Sequence, residues 1–415
     1  MIESYFSRTS TIDRLRSGPL GADLDDLAHA LQQQGYAWDS IRHYLRGCDQ
    51  FARWLSKHGY PLANVNQTLV KHYISSLQRP PSGTLPKGAE GLAHLLKLWR
   101  QQKRLSEPSN ETSLTEAGQW LLRYEQYLDQ VCGTAAGTRH HYLRMAKRFL
   151  TACFGTGHLA WSSLQAQQIA DFVQQEAANK SGGGRKLPST AVRSVLRFLV
   201  FIGELSPGLE AAALAPRQWT HSSIPQCLTA QEVEEVLALY SGDRPTDLRN
   251  RAILMLLARL GVRAHEVVSL SLDDINWQEA QIIIRAGKTH HERVLPLPQD
   301  VGSTLAEYLC WGRPASNSRV VFLHVNAPFR PFSDSGAISR IAARALGRVG
   351  VTRYARLGAH VFRHTAASHM VNRGASFKEV ADVLGHQSLQ TTGIYAKLDL
   401  AALSEVALPW RGESQ

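Results

Sequence analysis

Long apolar runs are missing from this 415-residue chain. No stretch approaches the roughly 20 consecutive apolar residues that cross a bilayer, and the run Ala252–Ala258 ends at Arg259. A membrane protein is therefore not expected. The polar residues 1–16 lack the apolar core of a secretory signal, so the expected compartment is the cytoplasm. Cysteine is scarce. The five thiols, Cys48, Cys132, Cys153, Cys227 and Cys310, are odd in number and scattered, with no Cys-x-x-Cys pair and no histidine at zinc-finger spacing. Reduced, mostly buried thiols are the expectation. Acidic residues are outnumbered, 35 Asp and Glu against 46 Lys and Arg, a net charge of +11 that calls for a polyanionic partner. Paired carboxylates and His/Cys clusters at metal-ligand spacing are also lacking, so no metal or other cofactor is expected.

What is present suffices for packed cores. Apolar residues make up 44% of the chain, with 9 Trp, 12 Tyr and 12 Phe, which excludes a mostly disordered protein. At about 100–200 residues per domain the length implies two or three domains. A weak internal repeat marks the first half: His43-Tyr44-Leu45-Arg46 returns as His141-Tyr142-Leu143-Arg144, and Phe51 and Gly59 return as Phe149 and Gly157. Each copy lies in an apolar pattern of helical period, which predicts two similar helical modules.

Turn and cap signals divide the chain further. The polar stretch Ser106–Asn110 precedes Ser113-Leu-Thr-Glu116, a capping-box spacing, and separates a module of residues 1–107 from one of 108–215. Ser181–Gly184 predicts a flexible loop. Pro207, Pro216 and Pro225 punctuate a linker that ends at a second capping box, Thr229-Ala-Gln-Glu232, so a third domain is expected over 225–415. Within it Ile282–Ile284 and Val294–Leu297 flank a polar turn and predict a hairpin, with Val320–Leu323 a further extended candidate. Ser376-Phe-Lys-Glu379 opens another helix, which Gly385 can end, and Ser388 can cap the next.

Basic and aromatic residues stand in a distinctive order in this last domain: Gly261-Val-Arg-Ala-His-Glu266, Gly287-Lys288, His360-Val-Phe-Arg-His-Thr365, Leu384-Gly-His386 and, nine residues on, Tyr395. Singly, each has a bland reading as a solvated basic face, a turn lysine or a half-buried aromatic. Together they resemble the catalytic domain of the tyrosine recombinases, the phage integrase family, over about 228–397. The chemistry suits the residues. Anionic oxygens repel nucleophiles, and planar guanidinium groups can hold two of them at once, so Arg263 and Arg363 are assigned to a scissile phosphate.

The resemblance implies Tyr395 as nucleophile, forming a 3′-phosphotyrosyl ester. It further implies His360 as base, His386 as a donor to the phosphate and Lys288 as acid for the 5′-oxygen, without a metal. Glu266 is expected to orient or neutralise a neighbour of Arg263. The implied fold is mainly α with a small antiparallel β-sheet (α+β) in the catalytic domain, behind N-terminal all-α SAM-like modules. Module 108–215 is the expected core-binding domain, with Arg139, Arg144, Lys147, Arg148, Lys186, Arg193 and Arg197 as candidate contacts to double-stranded DNA; each is equally readable as a solvated helix face. Module 1–107 resembles the additional domain of three-domain transposon-borne members, either arm-type DNA-binding or protein-interacting.

Two departures stand out: Thr289, His290 and His291 follow Lys288 where the family often has Gly and a second Lys, and His265 stands where Ser is common. Beyond Tyr395 the apolar positions Leu398, Leu400, Leu403, Val406 and Leu408 need a surface to bury them, on a neighbouring protomer or on their own domain. The implied activity is site-specific recombination by a homo-tetramer on DNA through a Holliday junction, with or without partner recombinases and in association with the nucleoid. A type IB topoisomerase-like nicking-closing enzyme and a catalytically silent accessory recombinase are the alternatives.

Overall fold

Helical periodicity dominates the chain, and sixteen α-helices form among the described residues. The computed structural model describes residues 1–77, 89–105, 115–155, 157–180, 182–216, 226–285, 292–354, 357–386 and 392–398. By its contacts the chain divides into two units: Met1–Gln101 together with His221–Gln415, and Gln102–Thr220.

The first part of the larger unit holds α1 (Thr9–Ser17), α2 (Gly21–Gln33), α3 (Trp38–Lys57), α4 (Gln67–Ser76) and α5 (Ala89–Gln101). The smaller unit holds α6 (Glu116–Gln126), α7 (Ala136–Phe154), α8 (Ala166–Ala178) and α9 (Leu187–Phe201). The repeat seen in the sequence is a repeat of elements. From α3 to α7, from the short turn Leu62–Asn64 to Trp161–Ser163, from α4 to α8 and from α5 to α9, first residues are offset by 98, 99, 99 and 98 positions. Phe51 and Phe149 occupy equivalent core sites and are both fully buried. The expected glycine match is shifted. Gly59 takes φ 69° just beyond α3, but α7 ends on Gly155 at φ 62° rather than on Gly157, because a side chain is disfavoured where the chain turns left-handed.

Trp120, Tyr124, Phe149, Val192 and Phe198 belong to the smaller unit's core, and the Tyr124 hydroxyl lies 2.9 Å from Ser194 Oγ. Two local expectations are corrected there. Helix α6 is capped by Thr115, whose hydroxyl accepts the Gly118 N–H at 3.2 Å, while Ser113 lies outside the described residues. Instead of a loop, Gly182–Lys186 forms a 3-10 turn that leads into α9, whose start is favoured by Pro188 with its preset φ.

The remainder of the larger unit contains α10 (Ala230–Ala238), α11 (Pro245–Leu260), α12 (Ala264–Ser269), β1 (Ile275–Asn276), β2 (Gln281–Ile284), β3 (Arg293–Pro296), α13 (Gln299–Glu307), α14 (Ser335–Arg348), α15 (Ala359–Asn372) and α16 (Phe377–Leu384). The predicted capping boxes at Thr229/Glu232 and Ser376/Glu379 form as read. The hairpin does too: β2 and β3 pair antiparallel with Ile282 opposite Leu295, and β1 adds a third strand. Val320 and Leu323 make only isolated bridges, to Ser271 and Pro331. Helix α11, apolar around most of its surface from Ala252 to Leu257, runs through the core and packs against α13 and α15. Among the described residues no helix is long and apolar enough to cross a membrane.

Candidate active site

Four segments meet at one place: the turn after α11, helix α15, the turn after α16, and the 3-10 turn Gly393–Leu398 that packs on α15. Glycine makes the first junction possible. Gly261 ends α11 at φ 61°, and a Cβ there would press on Leu384 and Ala366. Arg263 follows at the start of α12. Its Nη2 donates to the Gly385 carbonyl at 2.7 Å and its Nη1 to Glu266 Oε1 at 3.0 Å.

Arg363 leaves α15 into the same region and is 5% exposed. Its Nη1 donates to the Gly261 carbonyl at 2.8 Å and its Nη2 to the Leu384 carbonyl at 2.6 Å. The two arginines thus grip consecutive carbonyls of the turn that closes α16. Burial, then the neighbouring Arg263, push the Arg363 guanidinium down to about 10, so it stays charged at neutral pH.

Gly385, left-handed at φ 63°, turns the chain so that His386 follows directly, and the His386 backbone N–H donates to Ala381 at 2.9 Å. His386 Nδ1 is 2.7 Å from Thr392 Oγ1. Burial first, then Arg363 and Arg263, lower this imidazole to about 4. His360, one turn before Arg363 on α15, is lowered by burial and by Arg363 and Arg263. Tyr395 is 1% exposed in a pocket of Ala367, Val371, Val380 and Leu384. Burial pushes its phenol up to about 12. Lys288 and Ser388 lie outside the described residues, as does the apolar tail from Leu400 onward.

Glu266 binds two partners. Besides Arg263, it accepts from Arg293 Nη1 and Nη2 at 3.0 and 2.8 Å, a bidentate pair, and Arg293 Nε reaches the Val383 carbonyl at 2.8 Å. Burial alone would raise the Glu266 carboxyl; Arg293, then the Arg263 N–H and guanidinium, overcome this and hold it at about 2.

Comparison with known proteins gives the family and the fold. The phage integrase family model matches residues 226–401. A Sinorhizobium fredii NGR234 protein named as an integrase/recombinase, y4rA, is 36% identical over 97% of this chain and 98% of its own length. The chain belongs to the phage integrase family of tyrosine recombinases. Tyrosine recombinase XerD of Mycobacterium tuberculosis is 30% identical over 70% of this recombinase and 96% of XerD. The fold is that of lambda integrase. Its dimer bound to a core site aligns with TM-score 0.53 at 19% identity, covering 72% of this chain and 96% of that one. Its tetramer bound to a Holliday junction aligns with TM-score 0.51 at 17% identity, covering 77% and 90%.

The basic residues read as DNA contacts fall on two helices of the recombinase's smaller unit and on the turn before α9. Arg144 and Lys147 on α7, Arg197 on α9 and Lys186 in the turn are exposed, and Arg193 is half-buried. Arg139 is already engaged, with Asp129 and with the Thr134 carbonyl at 2.9 Å, and Arg148 pairs with the buried Glu176. Two residues escaped the sequence reading. Arg293 shows no sign of its role until β3 is placed against α16, and His364 stands inside the His360–Thr365 motif with no role assigned to it. His364 is the side chain that meets the Tyr395 hydroxyl, Nδ1 to oxygen 2.8 Å. Its position directly after Arg363 was the available signal.

Proposed function

We propose that this recombinase cuts and rejoins DNA by attack of the Tyr395 hydroxyl on a phosphodiester held by Arg263 and Arg363. The Tyr395 oxygen–phosphorus bond forms, the bond from phosphorus to the 5′-oxygen breaks, the phenol loses its proton and the 5′-oxygen gains one. Two cations at the non-bridging oxygens offset the charge that builds on them in the bipyramidal transition state. His386 donates to the phosphate, His360 is the base, and Lys288 supplies the leaving-group proton. The 3′-phosphotyrosyl ester conserves the bond energy, and a 5′-hydroxyl from a second duplex attacks back. Two such exchanges, ordered in a homo-tetramer through a Holliday junction, recombine two sites. Residues 1–107 and 108–215 serve as the accessory and core-binding modules of a mobile-element enzyme.

The observation that carries this reading is the shared grip of Arg263 and Arg363 on Leu384 and Gly385, immediately before His386. Two candidate phosphate-binding cations and a third donor are thereby held as one rigid group. The lambda integrase complexes lend support through their fold.

Covalent trapping tests it. Protein is mixed with fragmented host and element DNA, quenched in detergent, and the attached DNA sequenced. Adducts at 3′ ends are expected with the wild type, persisting in EDTA, and none with Tyr395→Phe. Adducts that survive this substitution, or vanish with EDTA, overturn the reading. Recombinant products rather than relaxed circles alone separate it from a nicking-closing enzyme.

A further inference from the structure

The Tyr395 hydroxyl and His364 Nδ1 are 2.8 Å apart, with the phenol ring fully enclosed. His364 lies on α15 beside Arg363, and its backbone carbonyl takes the Ser368 hydroxyl at 2.8 Å. Its ring centre is 5.7 Å from that of Tyr395 and 6.5 Å from that of His360. One helix therefore carries both a guanidinium assigned to the phosphate and the side chain that meets the assigned nucleophile.

We propose that His364 is the positioning residue of the nucleophile: before attack its Nδ1 accepts a hydrogen bond from the Tyr395 hydroxyl, without taking the proton, and so fixes which way the phenolic oxygen presents its lone pairs. The proposal deepens the function above and rests on Tyr395 being the nucleophile.

Three features support an accepting imidazole. Burial, then His360 and Arg363, hold His364 at about 4, so at neutral pH its ring is uncharged and has one acceptor nitrogen. A phenol held up at about 12 keeps its proton and needs an acceptor for it. A buried hydroxyl without a partner is costly, so the bond selects one rotor position of the O–H. Misdirecting an attacking atom by a fraction of an ångström costs rate far more than affinity. The effect of His364 belongs to cleavage and to its reversal, since tyrosinate leaves along the same path when the strand is rejoined.

The test uses the full-length protein, a DNA site identified by trapping, and three variants. His364→Leu fills the space without an acceptor; His364→Asn places an amide oxygen near the position of Nδ1; Tyr395→Phe removes the nucleophile. Expected with His364→Leu is a loss of cleavage rate of about 100-fold with unchanged DNA affinity, and with His364→Asn a recovery to within roughly tenfold of wild type. A substrate with sulfur at the bridging 5′ position, whose thiolate leaves without needing a proton, should not rescue His364→Leu. That separates orientation of the nucleophile from protonation of the leaving group.

Wild-type cleavage by His364→Leu, full rescue by the sulfur substrate, or a folded, DNA-bound His364→Asn as slow as His364→Leu would each overturn the proposal. Failure of the underlying reading looks different: adducts would persist in Tyr395→Phe.

Discussion

At the scale of single residues, the site is made of charged and titratable side chains taken out of water, and each has a consequence. Arg363 donates to two backbone carbonyls from a nearly sealed position. Lysine keeps the charge but has no planar fork, so it cannot hold both carbonyls and also serve the phosphate role proposed for Arg363. Arg363→Lys is expected to lower cleavage by about 100- to 1000-fold and stability by about 2 kcal/mol, read from a suicide-substrate assay and urea unfolding. The histidines make stability depend on pH. His364 and His386 are held at about 4 in the folded protein, against about 6.5 when unfolded. As pH falls through that window the unfolded chain takes up protons that the folded chain does not, so stability is full above about 6.5 and falls toward 4. The loss should be roughly 2–4 kcal/mol after discounting the half-exposed His386 for solvent screening. Urea midpoints measured across this range should drop, and less so in His386→Asn; a flat profile would contradict it.

At the scale of elements, Glu266 is the joint between α12, β3 and α16. Its two oxygens take Arg263 from one side and Arg293 from the other, while Arg293 also holds the last turn of α16 through the Val383 carbonyl. The carboxylate has a folded pKa of about 2. Its contribution is complete above the unfolded value near 4.5 and is lost as pH falls toward 2, a window below that of the histidines. Glu266→Gln leaves Arg293, its side chain 10% exposed, without a counter-charge. Removing one partner of a buried pair costs about 3–5 kcal/mol, and that loss is expected in denaturant unfolding. DNA cleavage should fall with it, because Arg263 loses its brace and the turn carrying His386 loosens. Stability within 1 kcal/mol of wild type, by the same scale, would show that the joint is not needed.

At the scale of the whole molecule, the larger unit joins two stretches of chain separated by the smaller unit. One contact between them is specific. Phe329, at φ 51° in the turn between Leu323 and Pro331, lies against Gly35, itself at φ 79° beyond α2. A Cβ on Gly35 would run into the Phe329 ring and would also be strained by the left-handed backbone. Gly35→Ala should cost about 1–2 kcal/mol. In a Phe329→Ala background the cost should shrink by about 0.5–1 kcal/mol, since only the strain remains. Strict additivity in this double-mutant cycle would mean that the two stretches do not meet there.

Local chemistry was legible in the sequence because it needs only neighbouring residues. The capping boxes at Thr229 and Ser376, the glycine that ends α16, the β2–β3 hairpin and the doubled helical pattern all depend on contacts a few residues apart or on a period along the chain. The order of Arg263, His360, Arg363, His386 and Tyr395 was legible too, as a family resemblance. Tertiary structure alone decided which of these groups touch. Glu266 finds Arg293 across 27 positions and Tyr395 finds His364 across 31, pairings that no local period encodes. The same holds for the basic residues of α7. Charge along the chain marks Arg139 and Arg148 as free cations, but folding brings Asp129 and Glu176 against them. A side chain's partner depends on which surfaces the packed cores bring together, and that is a property of the fold rather than of any segment of it.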